Sequence, residues 1–284
     1  MSQSSNTWKN KHLVFVFMAC LLVFTVIRWD IDGWIQGQLD TVIEQNNMPI
    51  QYRALSLHGT TLELQDVHLD MSDMSNMPNN TPQDLRLDKL QMSLDWAALA
   101  SAELAILIHA NNAFVTLQAS ISQHESRIKV SDILVQVDVS AAQAWYGQAL
   151  LAQLAGAVVL QGDIVLDVST RLPVQTDLTL AWQGAQVSMM QQVYALGDYT
   201  LQLTQSAKSE QAESQGKWLL QGGEALKLQG NGTLQMNQVM VGLWPLQGEI
   251  SVQLGAESPL KVFLPQANKM IKLTGTLGQP QWTM

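Results

Sequence analysis

Residues 218–237, WLLQGGEALKLQGNGTLQMN, carry apolar side chains at every second position and glycines between the runs. Leu226 and Leu228, then Leu234 and Met236, fall on one side of an extended chain. A helix would need apolar residues recurring three and four apart along one stripe, and the stretch follows a period of two instead. The same alternation extends in both directions. Upstream it runs through Tyr199, Leu201 and Leu203, through Leu178, Leu180 and Trp182, and through Ile164, Leu166 and Val168. Further back come Ile133, Val135, Val137 and Val139, then Val115, Leu117 and Ile121 after an Asn111-Asn112 turn, then Leu90, Met92, Leu94 and Trp96. Val67, Leu69 and Met71 follow Leu62 and Leu64, which a His58-Gly59-Thr60-Thr61 turn separates from Leu55 and Leu57. Downstream lie Ile250, Val252 and Leu254, then Leu260, Val262 and Leu264, then Ile271, Leu273 and Leu277.

Strands this numerous and this closely spaced form an antiparallel meander, with one face buried and one wet. Glycines such as Gly222-Gly223 and Gly230-Asn231-Gly232 read as strand-end turns, and Gly248 punctuates the runs in the same way. Leu90 is out of phase with Leu85 and Leu87, which predicts a bulge at Asp88-Lys89. Short helices are expected at Ala141 to Leu154 and at Ser188 to Leu196. DKLQMSLDWAAL (88–99) and VQTDLTLAWQGA (174–185) echo one another and suggest a duplication.

The N-terminus is different in kind. Leu13 to Ile27 is an unbroken apolar run, LVFVFMACLLVFTVI, behind Lys9 and Lys11. Its fifteen residues would make a helix of about 22 Å, and flanking Trp8 and Trp29 extend it toward a hydrocarbon core of about 30 Å. Leu13, Val14, Phe15, Phe17, Leu21, Leu22, Phe24 and Ile27 are the anchor residues. The run ends in Thr25-Val26-Ile27-Arg28-Trp29-Asp30, without the small-residue pair that signal cleavage needs. Cys20, the one cysteine, is followed by more apolar residues, unlike a lipidated cysteine. Basic charge before the span and Asp30 and Asp32 after it put the N-terminus in the cytoplasm. The expected layout is a cytoplasmic stretch over 1–12, a transmembrane helix over 13–29 and an amphipathic helix over 30–47. A periplasmic β-domain fills 48–284. The fold class is therefore mainly β: one transmembrane helix, a short amphipathic helix, then a large curved antiparallel meander. In the helix, Ile31, Trp34, Ile35, Leu39, Val42 and Ile43 share a face, which would cap the open end of the β-domain.

With 47% hydrophobic and 14% charged residues the chain can fold, and its net charge of −9 disfavours a nucleic-acid partner. Residues 71–83, MSDMSNMPNNTPQ, are expected to be a mobile loop, and Met71, Met74 and Met77 within it form a thioether array. With no histidine or cysteine inside it, that array reads as loop composition rather than a copper site. The histidines His12, His58, His68, His109 and His124 lack metal-site spacing, and no nucleophile elbow or phosphate loop is present. No catalytic, cofactor or metal residue is assigned, and the chain is not expected to be an enzyme. Of nine tryptophans, Trp244 and Trp282 sit at strand ends and are the candidate partner contacts.

The stretches LTLAWQGAQV (178–187), ALGDYTLQLTQ (195–205), 218–237, KLTGTLGQPQ (272–281) and the early YRALSLHGTTLELQDVHL (52–69) resemble general secretion pathway protein N. This is the N component of the type II secretion system. The resemblance implies a single-pass inner-membrane accessory protein with a β-rich periplasmic domain, acting through contacts with other envelope proteins of that machine. It carries no catalytic residues to transfer. The Met-rich stretch departs from the family pattern. The layout is also similar to AsmA-type membrane-anchored sheets, which implies an alternative in which the apolar face binds or moves lipid toward the outer membrane.

Overall fold

The computed structural model describes residues 31–45, 50–70, 84–95, 98, 104–146, 153–170, 172–189, 192–205, 214–237, 241–262 and 268–283. The chain divides into two units, residues 1–48 and 49–284. In the first, helix α1 (Ile31–Gln45) forms where the apolar spacing predicts it. Ile35, Leu39 and Ile43 are half-buried along one stripe, while Trp34 and Val42 are exposed. The anchor residues Leu13 to Ile27 lie outside the described residues, as does the Met-rich stretch 71–83. No described helix is long and apolar enough to cross a membrane.

The second unit is one 15-stranded antiparallel sheet. Its first half comprises β1 (Ile50–Gln51), β2 (Ala54–His58), β3 (Thr61–Asp70), β4 (Asp84–Leu94), β5 (Leu104–Asn111), β6 (Val115–His124) and β7 (Arg127–Asp138). A short helix α2 (Val139–Tyr146) then leads to β8 (Gln153–Asp167). The remainder is β9 (Pro173–Met189), β10 (Gln192–Gln205), β11 (Ser214–Gly222), β12 (Leu226–Met236), β13 (Leu246–Leu254), β14 (Asn268–Thr276) and β15 (Gln279–Thr283). From β3 to β15 every strand pairs with its chain neighbours, the meander expected from the alternation. Beta1 and β2 share one edge of β3 as the two pieces of a broken strand.

Register turns the alternation into a continuous surface. Leu55, Leu64, Leu90, Ala110, Leu117, Val135 and Leu160 stand directly across from one another, strand by strand. The row continues through Leu180, Leu201, Leu220, Gly230, Ile250 and Ile271. One position along, the opposite face carries Glu63, Gln91, His109 and Gln118, and later Gln161, Thr179, Gln202, Asn231 and Glu249. Because the side-chain period is two, a one-residue slip anywhere would swap the faces, so burial of the apolar side fixes the register. Each apolar cross-strand pair contributes about 0.2–1 kcal/mol.

Several expectations are corrected. The segment from Ser188 to Leu196 is not a helix but the β9–β10 hairpin, with Val193 facing Ser188 and Tyr194 facing Val187. Its valine and tyrosine prefer a pleated surface, and the partner strand satisfies their backbone. Helix α2 is shorter than Ala141 to Leu154, because Leu154 belongs to β8. Asp138 starts it by accepting the Ala141 N–H at 3.0 Å. Leu260 and Val262 lie in a 3-10 turn, Pro259–Val262, rather than a strand. Proline cannot donate to a ladder, and Ser258 Oγ instead accepts the Leu260 N–H at 3.2 Å. Gly230 and Gly232 are interior to β12 and not turns.

The phase slip near Asp88-Lys89 is also resolved differently. Pairing of β3 with β4 runs through without a register shift. Asp66, which this pairing sets opposite Asp88, takes a positive φ of 53°. Both strands change face there together, so Leu64 and Val67 are both buried although three residues apart. The same point breaks the edge strand between β1 and β2.

That kink is held by charge. Asp66 Oδ1 accepts Arg86 Nη2 at 2.6 Å, and its Oδ2 meets Arg53 Nε at 3.0 Å. The Arg86 hydrogen bond, helped by the Arg53 charge, holds the Asp66 carboxyl below the usual carboxylate range. A depressed carboxylate contributes stability above its unfolded pKa and loses it as pH falls through the folded value. The expected result is that Asp66→Asn lowers the thermal midpoint at neutral pH, with the gap to wild type closing below about pH 3.9. A gap that is constant from pH 7 to pH 3 would refute this.

Candidate interaction surface

Among the described residues no group of histidine, cysteine or acidic side chains could hold a metal ion. The surface features are instead an apolar face and its aromatic fittings. Trp218 is the main one. It is 7% exposed on β11, paired with Gly232, and its indole extends over β12 and β13. A Cβ on Gly248 would lie 2.1 Å from the indole Cζ2, and one on Gly232 would lie 2.6 Å from its Cε2. The ring therefore occupies the volume that side chains on two neighbouring strands would fill. Its Nε1–H donates to the Gln247 carbonyl at 3.2 Å, which satisfies the polar end of a buried indole.

Trp182 is fitted in a similar way on β9. Its Nε1–H donates to the Ala155 carbonyl at 3.2 Å, beside the β8 bulge at Gly156. Its ring meets Tyr199, directly across on β10, at a centroid distance of 5.8 Å and a 32° tilt. Tyr199 donates its hydroxyl to the Leu226 carbonyl at 2.7 Å, and burial pushes its pKa up. Tyr199 belongs to a compact cluster with Ala185, Val187, Tyr194 and Leu196, against which the 3-10 turn packs Leu260. At the other ends of these strands Gln205 is buried, accepting from Thr176 Oγ1 at 3.2 Å and donating to the Pro173 carbonyl at 2.7 Å. Ser214 Oγ, which also accepts from Gln205, donates to that carbonyl at 2.9 Å. This clasp joins β9, β10 and β11 where the apolar row gives out.

The two candidate contact tryptophans part company. Trp244 is half-buried and donates Nε1–H to the Asn237 carbonyl at 3.0 Å, while its own carbonyl accepts the Leu277 N–H. It anchors the connection between β12 and β13. Trp282 is 68% exposed on β15, the last strand, and pairs with Leu273 on the apolar side. Only Trp282 is therefore available to a partner. Trp282→Ala is expected to leave stability within about 0.5 kcal/mol of wild type, as for surface sites without special contacts, checked by thermal unfolding.

On the opposite face most side chains are charged, amide or hydroxyl groups, with Leu134 and Leu219 interrupting the row. Glu63 sits 2.8 Å from Lys89 Nζ and accepts from Gln65 and Gln91, and the Lys89 hydrogen bond lowers its pKa. Trp218 and its glycines were not singled out by the sequence, where Gly232 and Gly248 read as turn punctuation. The signal was present only as two glycines an even number of residues from a tryptophan on paired strands, and register is needed to see it.

The family model described as type II secretion system (T2SS), protein N matches residues 76–270. No curated protein and no solved structure matches the chain.

Proposed function

The chain belongs to the type II secretion system protein N family, and from that membership we propose that it is a non-enzymatic accessory of the secretion machine. In this reading the Leu13–Ile27 run anchors it in the inner membrane and the sheet works in the periplasm. There it supports export of folded proteins across the outer membrane by contacting other secretion components. The family match carries the proposal. The sheet supports it, because an amphipathic meander with an uncharged outer strand offers a partner main-chain pairing and an apolar side together. Beta15, QPQWT, has no charge and one strand partner, and it presents the exposed Trp282. The opposite edge is broken at Arg53 and carries the Arg53–Asp66–Arg86 group.

The test is a gene deletion scored in one culture for exoproteins in the medium, exoproteins held in the periplasm, and entry of a bulky hydrophobic dye. Periplasmic accumulation with the dye still excluded is the expected result. Normal secretion with dye entry would replace this reading with one of lipid transport to the outer membrane.

A further inference from the structure

We infer that the polar side of the sheet over β10 to β14 binds the glycan strands of peptidoglycan. The periplasmic placement proposed above is a premise of this assignment, and the secretion role is not. The side chains here form a grid. Gln202, Leu219, Asn231, Glu249 and Lys272 stand directly across from one another, strand by strand. Thr204, Lys217, Thr233 and Gln247 make a parallel row on one side of them, and Thr200, Gln221, Gln229 and Ser251 make one on the other. Three shallow depressions along the middle row meet at Asn231.

The chemistry of the grid selects the ligand. Gln202, Thr204, Gln221, Gln229, Asn231 and Gln247 are exposed, and none of their side chains hydrogen-bonds to another described residue. Near the other edge of the same face such groups bind one another, as Glu63 does in accepting from Gln65 and Gln91. A side-chain amide donates and accepts at once. A field of them suits a ligand that does the same along its whole length, as the hydroxyl and acetamido groups of a glycan do. Spacing agrees. Strands lie about 4.8 Å apart, close to the advance per ring of a pyranose chain linked through opposite ring carbons. A glycan crossing the strands therefore sets about one ring on each, over about 19 Å from β10 to β14. Leu219, 43% exposed in the middle row, offers the C–H face of a ring an apolar seat. Charge agrees too. Lys217 and Lys272 are exposed and form no ion pair among the described residues. In a chain of net charge −9 these two lysines outnumber the one acid of the grid, Glu249. They complement the carboxylates of the peptides that peptidoglycan strands carry. A protein partner would seek buried aromatic anchors, which this grid lacks.

The test sediments the full-length chain, in detergent, with purified peptidoglycan sacculi. Gln202→Ala with Asn231→Ala removes two neutral partners from the middle row. Gln118→Ala with Gln161→Ala does the same on β6 and β8, outside the grid but on the same face. All four positions are exposed, so the thermal midpoints of both variants should match wild type. The expected result is that wild type and the 118/161 variant sediment alike. The 202/231 variant should bind about tenfold more weakly, as the loss of two neutral hydrogen bonds implies. Soluble glycan strands freed of peptide by an amidase should release the chain, and the freed peptides should not. No sedimentation of wild type, equal binding by the two variants, or release by the peptides alone overturns the inference. In cells, alkaline phosphatase fused to the C-terminus reports placement, because that enzyme is active only after export. An active fusion without sacculus binding overturns the inference and leaves the placement intact. A silent fusion overturns the placement and the inference with it.

Discussion

Trp218→Ala is expected to cost about 3–5 kcal/mol, the range for removing a buried aromatic from a core. The indole is 7% exposed and covers Gly232 and Gly248, so its loss leaves a hole over two strands at once. Small residues cannot collapse into it, because the two facing positions have no side chains to move. The reverse substitution acts by crowding. Gly248→Ala would put its Cβ 2.1 Å from the indole and 2.5 Å from the Asn231 carbonyl oxygen. Overpacking of this kind costs about 1–3 kcal/mol, and removing the ring relieves only the first contact. The pair is therefore coupled. In the Trp218→Ala background, Gly248→Ala should cost distinctly less than in wild type, because the ring is no longer in the way. Thermal or denaturant unfolding of the four proteins in detergent measures the cycle. Strict additivity would show that the ring does not lie across Gly248 in solution.

Gly162→Ala is the second substitution with a large expected effect, and its cause is backbone rather than aromatic. Gly162 on β8 has φ +139°, a conformation that side-chain-bearing residues rarely adopt. An added Cβ would lie 1.9 Å from the Asp177 carbonyl oxygen on β9, which is main chain and cannot swing aside. Strained φ alone costs about 1–3 kcal/mol, and the clash adds to it, so the total should exceed that of Gly248→Ala. The residue sits where β7 and β8 pass a register shift between Val130 and Ile133, with Asp132 at φ +53° on the facing strand. The Asp132 N–H is met by Asp163 Oδ1 at 3.0 Å, so the irregularity is supported from both strands. Proteolysis of the variant should open first around β7–β9. Wild-type resistance in that segment would refute the argument.

The first prediction depends on glycines whose role was misread from the chain alone. Gly230, Gly232 and Gly248 sit between alternating runs, where glycine ordinarily marks a turn, yet all three are interior to strands. The local sequence around a turn glycine and around a glycine beneath a ring is the same. What differs is the residue on the next strand, and pairing is not local. The hairpin at Ser188 to Leu196 failed for a related reason. Its composition permits one helical turn, but β9 and β10 offer it a ladder on which Val187, Val193 and Tyr194 fit.

The alternation of Leu, Val and Ile determined by itself that the domain is β, antiparallel and amphipathic. A period of two has one physical meaning, a strand with two unlike faces. The turns at Gly59-Thr60 and after Asn111 were equally legible, because their residues act on their own backbone. At Asn111 the next residue does so: Asn112 Oδ1 accepts the Phe114 and Val115 N–H groups. Tertiary structure alone decided which leucines stand side by side, that Trp218 lies over Gly232 and Gly248, and that Trp244 is an internal strut while Trp282 is free. Those facts are set by register, and register is fixed by burial summed over many strands rather than by any stretch of sequence.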